Sequence, residues 1–156
     1  MTQTNQNRKN NHIIMKKVIY NSKLAHAILW ANYTTITLTA FVFTEFKNEK
    51  DMPQWVRNHE CTHARQWTEM FLLSGLIIWA VSLFVDISQW LYLLAVLAFY
   101  LWYVIEWLVR LIINGKQAYK YISFEQEAWA AQYNETYLEN ANYFSWLKYY
   151  FNKRNV

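Results

Sequence analysis

The sequence predicts a mainly α-helical protein with one short β element and one apolar helical hairpin. Its 156 residues include only two glycines and one proline, and so few turn-forming residues favour long helices. Threonines alternate with apolar residues over positions 34–46, a pattern typical of a β-strand or an arm of a hairpin. An apolar stretch at about 67–113 is interrupted by one polar turn. The length favours a single domain, which we place at residues 15–156.

The start of the chain is polar. Residues 1–14 are rich in asparagine and glutamine, and no long apolar run follows their cations. This composition fits neither a signal peptide nor a packed element, so we expect a disordered N-terminus. Beyond it, Ser22 is placed to cap a short helix that runs to about Asn32. Pro53 suits the first turn of the longer helix that follows.

The positively charged residues lie outside most of the apolar stretch. All fifteen lysines and arginines lie outside residues 66–109, where the acids are Glu69, Asp86 and Glu106. We expect one helix to end near Val85 and a second to run from Trp90 to about Ile113, with Asn114-Gly115 as its stop signal. Glu106 and Arg110 are spaced i, i+4 in that second helix and can neutralise each other.

Two environments are open to this hairpin. It can be buried inside a soluble protein, or it can insert into a membrane. Residues 90–104 have no polar face, and a domain of this size has little protein with which to cover them. These features favour membrane insertion, with lipid as a partner.

The distribution of charge predicts how the hairpin is oriented in the membrane. The tip of the hairpin carries Asp86 and no cation, whereas both flanks are basic. The positive-inside rule therefore places both termini on the cytoplasmic side.

The net charge of +4 is scattered along the flanks, and no nucleic-acid-binding signature accompanies it, so we expect no nucleic-acid partner.

One short motif carries most of the chemical information. Residues 59–63 have the form His-Glu-x-x-His (HExxH). On a helix, His59 and His63 project from one face and can bind a single Zn²⁺ ion. Glu60 lies beside them, where a carboxylate can take a proton from an attacking water. Cys61, the only cysteine, points about 160° away from His59 on a helix and is expected to be a packed thiol.

Two imidazoles leave a catalytic zinc ion one protein ligand short. Glu69 lies six residues beyond His63, but a continuous helix would point it elsewhere. Glu125 and Glu127 stand at the start of a separate helix that Ser123 is placed to cap. They lie about 200° apart on that helix, so one of them at most is expected to reach the metal.

The motif and the later segment Phe124-Glu125-Gln126-Glu127-Ala128 resemble those of gluzincin metallopeptidases. In that family a downstream helix supplies a glutamate ligand, typically in a Glu-x-x-Ala-Asp pattern. The resemblance implies that Glu125 is the third ligand, with Glu127 as the alternative. Two positions depart from the pattern: Trp129 replaces the aspartate that orients a zinc-bound histidine, and Arg65 replaces an apolar residue.

Over about residues 15–151 the chain also resembles a group of small bacterial proteins with this motif and a Phe-Glu-x-Glu-Ala segment. Together the resemblances imply a zincin-like minimal domain whose short β element precedes the motif helix. They also imply that the apolar hairpin crosses the bacterial inner membrane, and the positive-inside rule then places the metal site on the cytoplasmic side with both termini. They identify no substrate beyond a peptide or protein.

The resulting hypothesis is a membrane-associated zinc metallopeptidase with Glu60 as its general base. Tyr119 and Tyr121, just upstream of the ligand helix, are candidates to stabilise the oxyanion. The alternative is a membrane protein that keeps the metal site without turnover. A di-iron carboxylate site would need a second Glu-x-x-His pair, and neither His12 nor His26 has a glutamate three residues upstream.

Overall fold

The computed structural model describes residues 17–30 and 33–151. Helices make up 65% of the structure and strands 8%, so the predicted mainly α fold is confirmed. The disordered segment predicted at residues 1–14 lies outside the described residues.

The β element is a small three-stranded sheet of order β1-β3-β2. Strand β3 pairs parallel with β1 and antiparallel with β2. The threonine-rich segment forms the β2–β3 hairpin, and Thr39 at its turn has a positive φ of 58°. The three strands are β1 (Val18–Ile19), β2 (Thr35–Leu38) and β3 (Phe41–Thr44).

Six α-helices and two 3₁₀ segments, Gln89–Leu91 and Gly115–Tyr121, are present in the described residues. The side chain of Ser22 accepts a hydrogen bond from the N–H of Ala25 at 3.4 Å and caps the first helix, as expected. The helices are α1 (Lys23–Ile28), α2 (Gln54–Ser82), α3 (Tyr92–Asn114), α4 (Ser123–Gln132), α5 (Tyr137–Asn140) and α6 (Leu147–Phe151).

The described chain forms two compact units, each with its own core. The first contains the described residues up to Arg65 together with Glu127–Asn142. The buried side chains of its core cluster are Val18, Val42, Met52, Cys61 and Ala64. The second contains Gln66–Gln126 and the described residues from Tyr143 onward. The buried side chains of its core cluster are Met70, Phe99, Ile122, Phe124 and Trp146.

The predicted helical hairpin corresponds to the apolar end of α2 and the whole of α3. Helix α2 ends at Ser82, slightly before the expected end near Val85. Helix α3 ends at Asn114, and Gly115 follows with a positive φ of 55°, a conformation that glycine adopts with little strain. The stop signal at this position is therefore confirmed.

One helical stretch in the described part of the chain is long and apolar enough to cross a membrane. It begins at Gln89 and contains α3, and only 11% of its most apolar 18-residue window is buried. Helix α3 alone has 23 residues, about 34 Å at 1.5 Å per residue, against a hydrocarbon core of about 30 Å. Apolar side chains are exposed along its length, among them Leu93, Leu97, Leu101, Ile105, Leu108 and Ile112.

Glu106 joins α3 to the start of α4. Its carboxylate is buried and accepts hydrogen bonds from the N–H of Ser123 at 3.0 Å and the hydroxyl of Ser123 at 2.7 Å. Arg110 donates a third at 3.4 Å, which confirms the expected i, i+4 pair. Ser123 was expected to cap α4 with its own side chain, but its hydroxyl donates to Glu106, whose carboxylate holds the N-terminus of that helix. This contact fixes the backbone two residues before Glu125.

Replacing Glu106 with alanine should loosen the start of α4, because Ser123 and Arg110 then lose a charged acceptor. Hydrogen bonds to charged groups contribute about 1.5–3 kcal/mol, so we expect a loss of that order. Thermal unfolding of the detergent-purified chain measures it. Asp86→Ala, which removes an exposed acid, is the control. Equal melting temperatures for the two variants would contradict a linking role for Glu106.

Candidate metal centre

His59 and His63 lie one turn apart on α2, and their Nε2 atoms face each other. The two Nε2 atoms are 3.2 Å apart, and the rings are nearly perpendicular. Nitrogen ligands about 2.0–2.1 Å from a tetrahedral zinc ion are separated by about 3.3 Å. The observed separation therefore suits two imidazoles that bind one ion through Nε2.

The third member of the group is Glu125 on α4. The ligand atoms of His59, His63 and Glu125 all lie within 4.8 Å of one another. His63 and Glu125 are buried, and His59 is half-buried. Two neutral imidazoles and a carboxylate are a donor set that suits a transition-metal or zinc ion. This group can hold a metal ion, as the motif predicted.

Glu127, the alternative ligand, is engaged elsewhere. Its fully buried carboxylate forms an ion pair with Arg65 and accepts a hydrogen bond from the hydroxyl of Tyr137 at 2.7 Å. The Arg65 guanidinium also lies 5.6 Å from the centre of the Tyr137 ring. A buried charge needs such a partner. These contacts explain why arginine stands at position 65, and they favour Glu125 over Glu127 as the ligand.

Glu69 also has a structural partner. It is buried on α2, and one of its carboxylate oxygens accepts a hydrogen bond from the N–H of Phe144 at 3.0 Å. This contact agrees with the expectation that a continuous helix points Glu69 away from the two histidines.

Glu60, the expected general base, is held by Thr37 on strand β2. The threonine hydroxyl lies 2.6 Å from Oε2 of Glu60 and 3.0 Å from its backbone carbonyl oxygen. A hydroxyl shared between these two acceptors restricts the Glu60 side chain to one orientation. The sequence analysis did not identify Thr37. Its alternation pattern predicted the strand but carried no information about which threonine would contact the motif helix.

His59 has a second partner that the sequence analysis also missed. The terminal amide of Gln132, the last residue of α4, lies 2.9 Å from Nδ1 of His59. Trp129 occupies the position where the resembling family has its aspartate, and Gln132 lies about one turn further along the same helix.

Tyr103 on α3 donates a hydrogen bond to Oε1 of Glu125 at 2.9 Å. The side chain of Tyr119 is in turn hydrogen-bonded to Tyr103, so one of the two oxyanion candidates belongs to a network that includes Glu125. Tyr121 is half-buried at the end of its 3₁₀ segment, and its assignment stays a prediction. Tyr103 itself had no signal in the sequence beyond its place in an apolar helix.

Cys61 is buried among the apolar side chains of the first core. Burial raises the pKa of its thiol to about 12, and only partial compensation comes from the positive charge of Arg57. A thiol in such surroundings stays protonated at neutral pH, whereas a metal ligand must be a thiolate. The environment of Cys61 therefore agrees with the expected packed thiol.

Comparison with protein-family models, curated proteins and solved structures finds no match for this chain. The resemblance to gluzincins therefore stays a prediction that rests on the motif and on the segment around Glu125. Function is inferred from the contacts of the described side chains together with that motif.

Replacing Glu125 with alanine should abolish stoichiometric metal binding, whereas Glu127→Gln should retain it. Loss of an outer-sphere partner already costs about 10–100-fold in metal affinity, so loss of a direct ligand should cost at least about 100-fold. Chelator competition on the detergent-purified chain measures both affinities. The reverse pattern, with Glu127 required and Glu125 dispensable, would contradict the proposed ligand set.

Proposed function

We propose that this protein is a membrane-associated zinc metallopeptidase that hydrolyses peptide bonds in a peptide or protein substrate. The observation that carries this proposal is the group of His59, His63 and Glu125 within 4.8 Å, next to Glu60 in the motif. Two imidazoles favour zinc over magnesium or calcium, which prefer oxygen ligands. Three protein donors also leave room for a fourth ligand, as catalytic zinc sites require.

When bound, zinc supplies Lewis acidity, which eases deprotonation of water and polarises the scissile carbonyl. Glu60 takes the proton of the attacking water as the new C–O bond forms at that carbonyl carbon. The same carboxylate returns the proton to the leaving nitrogen as the C–N bond breaks. Thr37 keeps Glu60 in one orientation throughout. Tyr119 and Tyr121 are the candidate donors to the oxyanion, and Tyr103 connects Tyr119 to Glu125.

The membrane part of the proposal rests on α3. We place it across the bacterial inner membrane, with the metal site on the cytoplasmic side, because the flanks of the hairpin are basic and its tip is not. A peptide that reaches the cytoplasmic face of this membrane is therefore the substrate that this arrangement favours.

One observation favours the alternative, a membrane protein that binds metal without turnover. The hydroxyl of Thr37 donates a short hydrogen bond of 2.6 Å to Oε2 of Glu60. This contact occupies one of the two carboxylate oxygens of Glu60 with a partner from the protein. In this alternative, Glu60 stabilises the fold near the metal and transfers no proton.

The variant Glu60→Gln separates the two functions, because glutamine keeps the shape of glutamate but cannot accept a proton. General acid–base catalysis contributes about 10²–10⁴-fold, so we expect peptide cleavage to fall by at least about 100-fold with zinc content unchanged. The assay uses zinc-loaded protein in lipid vesicles and a library of labelled peptides. Glu135→Gln, which changes an exposed acid, should cleave like the wild type.

Cleavage by Glu60→Gln at the wild-type rate would exclude Glu60 as the base. Zinc binding by the wild type without cleavage of any member of the library would favour the alternative without turnover.

The proposed topology predicts which side of the membrane each segment faces. Ser88→Cys, an exposed position at the hairpin tip, should react with a membrane-impermeant maleimide added to intact cells. Glu135→Cys should react only after the inner membrane is permeabilised. Cys61 should add little background, because burial raises its pKa to about 12. Labelling of both positions in intact cells, or only of position 135, would contradict the orientation.

A further inference from the structure

We propose that Gln132 is a positioning residue that orients His59 for metal binding. This inference rests on the proposed metal site. It identifies the side chain that holds the imidazole of His59 in its metal-binding orientation.

The two nitrogens of the His59 ring face different partners. Nδ1 lies 2.9 Å from the amide nitrogen of Gln132, whereas Nε2 lies 3.2 Å from Nε2 of His63. The ring is therefore held at one edge by a polar side chain, and its other nitrogen faces the second imidazole. This arrangement leaves Nε2 as the atom that binds the ion.

An imidazole that binds a metal through Nε2 carries its proton on Nδ1, and a hydrogen-bond acceptor beside Nδ1 fixes that tautomer. The amide of glutamine has an oxygen that can accept and a nitrogen that can donate, and a half-turn about its last bond exchanges them. The nitrogen faces Nδ1 in the structure, and after that half-turn the oxygen can accept the Nδ1 proton when a metal is bound. Because the amide is neutral, it does so without adding negative charge to the site.

The segment that follows Gln132 is itself tied to the motif helix. Asn58, the neighbour of His59 on α2, is almost fully buried. Its side-chain amide donates to the backbone carbonyl oxygens of Ala131 at 3.1 Å and Asn134 at 2.9 Å. These bonds hold the last turn of α4 and the residues just beyond it to the motif helix. Residues on both sides of Gln132 are thus held to the turn that carries His59, and this limits how far its amide can move.

The test compares zinc affinities of the full chain in detergent by chelator competition. Gln132→Leu removes the polar atoms at similar size, and we expect it to bind zinc about 10–100-fold more weakly than the wild type. Gln132→Glu restores an acceptor, so we expect it to bind at least as tightly as the wild type. Gln126→Leu, which removes the same amide from the same helix six residues earlier, is the matched control and should change affinity by less than about threefold.

A second measurement reports on the tautomer directly. In the zinc-loaded wild type, ¹⁵N NMR of the histidine side chains should show His59 protonated at Nδ1. In metal-free Gln132→Leu, we expect a mixture of the two tautomers where the metal-free wild type has one dominant form. A side chain that only stabilised the fold would not change this ratio.

The outcomes distinguish failure of the proposed function from failure of the positioning role of Gln132. If the wild type binds no zinc, the proposed function fails, and the positioning role of Gln132 fails with it. If the wild type binds zinc and Gln132→Leu binds it equally well, only the positioning role is overturned. Equal losses in Gln132→Leu and Gln126→Leu would also overturn it, because they would indicate a general loosening of α4.

Discussion

A carboxylate removed from water must be matched by hydrogen-bond donors or by a cation, and this requirement organises the interior of the chain. Four glutamates are buried among the described residues: Glu69, Glu106, Glu125 and Glu127. Glu69 accepts a hydrogen bond from a backbone N–H. Glu106 accepts hydrogen bonds from a serine and an arginine, and Glu127 accepts them from an arginine and a tyrosine. Glu125 has a tyrosine hydroxyl at one oxygen and two imidazoles close by. The candidate metal group therefore includes one of the four buried acids.

The same requirement connects the apolar helix to the ligand helix. Glu106 holds the N-terminus of α4 while Tyr103, about one turn earlier on α3, contacts Glu125. Helix α3, which has exposed apolar side chains along its length, is therefore bound to α4 through the residues that position Glu125. In the proposed peptidase, the membrane helix both locates the protein in the bilayer and supports the site.

The sequence predicted those parts of the fold that depend on local patterns. Alternating threonines indicated the β2–β3 hairpin, sparse turn residues indicated long helices, and the i, i+4 spacing placed His59 and His63 on one face. Contacts between distant segments had no comparable signal. Thr37 reaches Glu60 across 23 positions, and Gln132 reaches His59 across 73, so both depend on how elements pack rather than on periodicity. Strand β1 was missed for the same reason, since two residues pairing with a strand more than 20 positions away leave no pattern.

X-ray absorption at the zinc edge tests the central claim most directly, because it identifies the atoms bound to the ion without requiring a substrate. For the zinc-loaded chain, we expect nitrogen and oxygen neighbours at about 2.0–2.1 Å. The multiple-scattering signature should correspond to two imidazoles. A sulfur neighbour at about 2.3 Å would mean that Cys61 binds the ion. Either that result or the absence of the imidazole signature would contradict a site built from His59, His63 and Glu125.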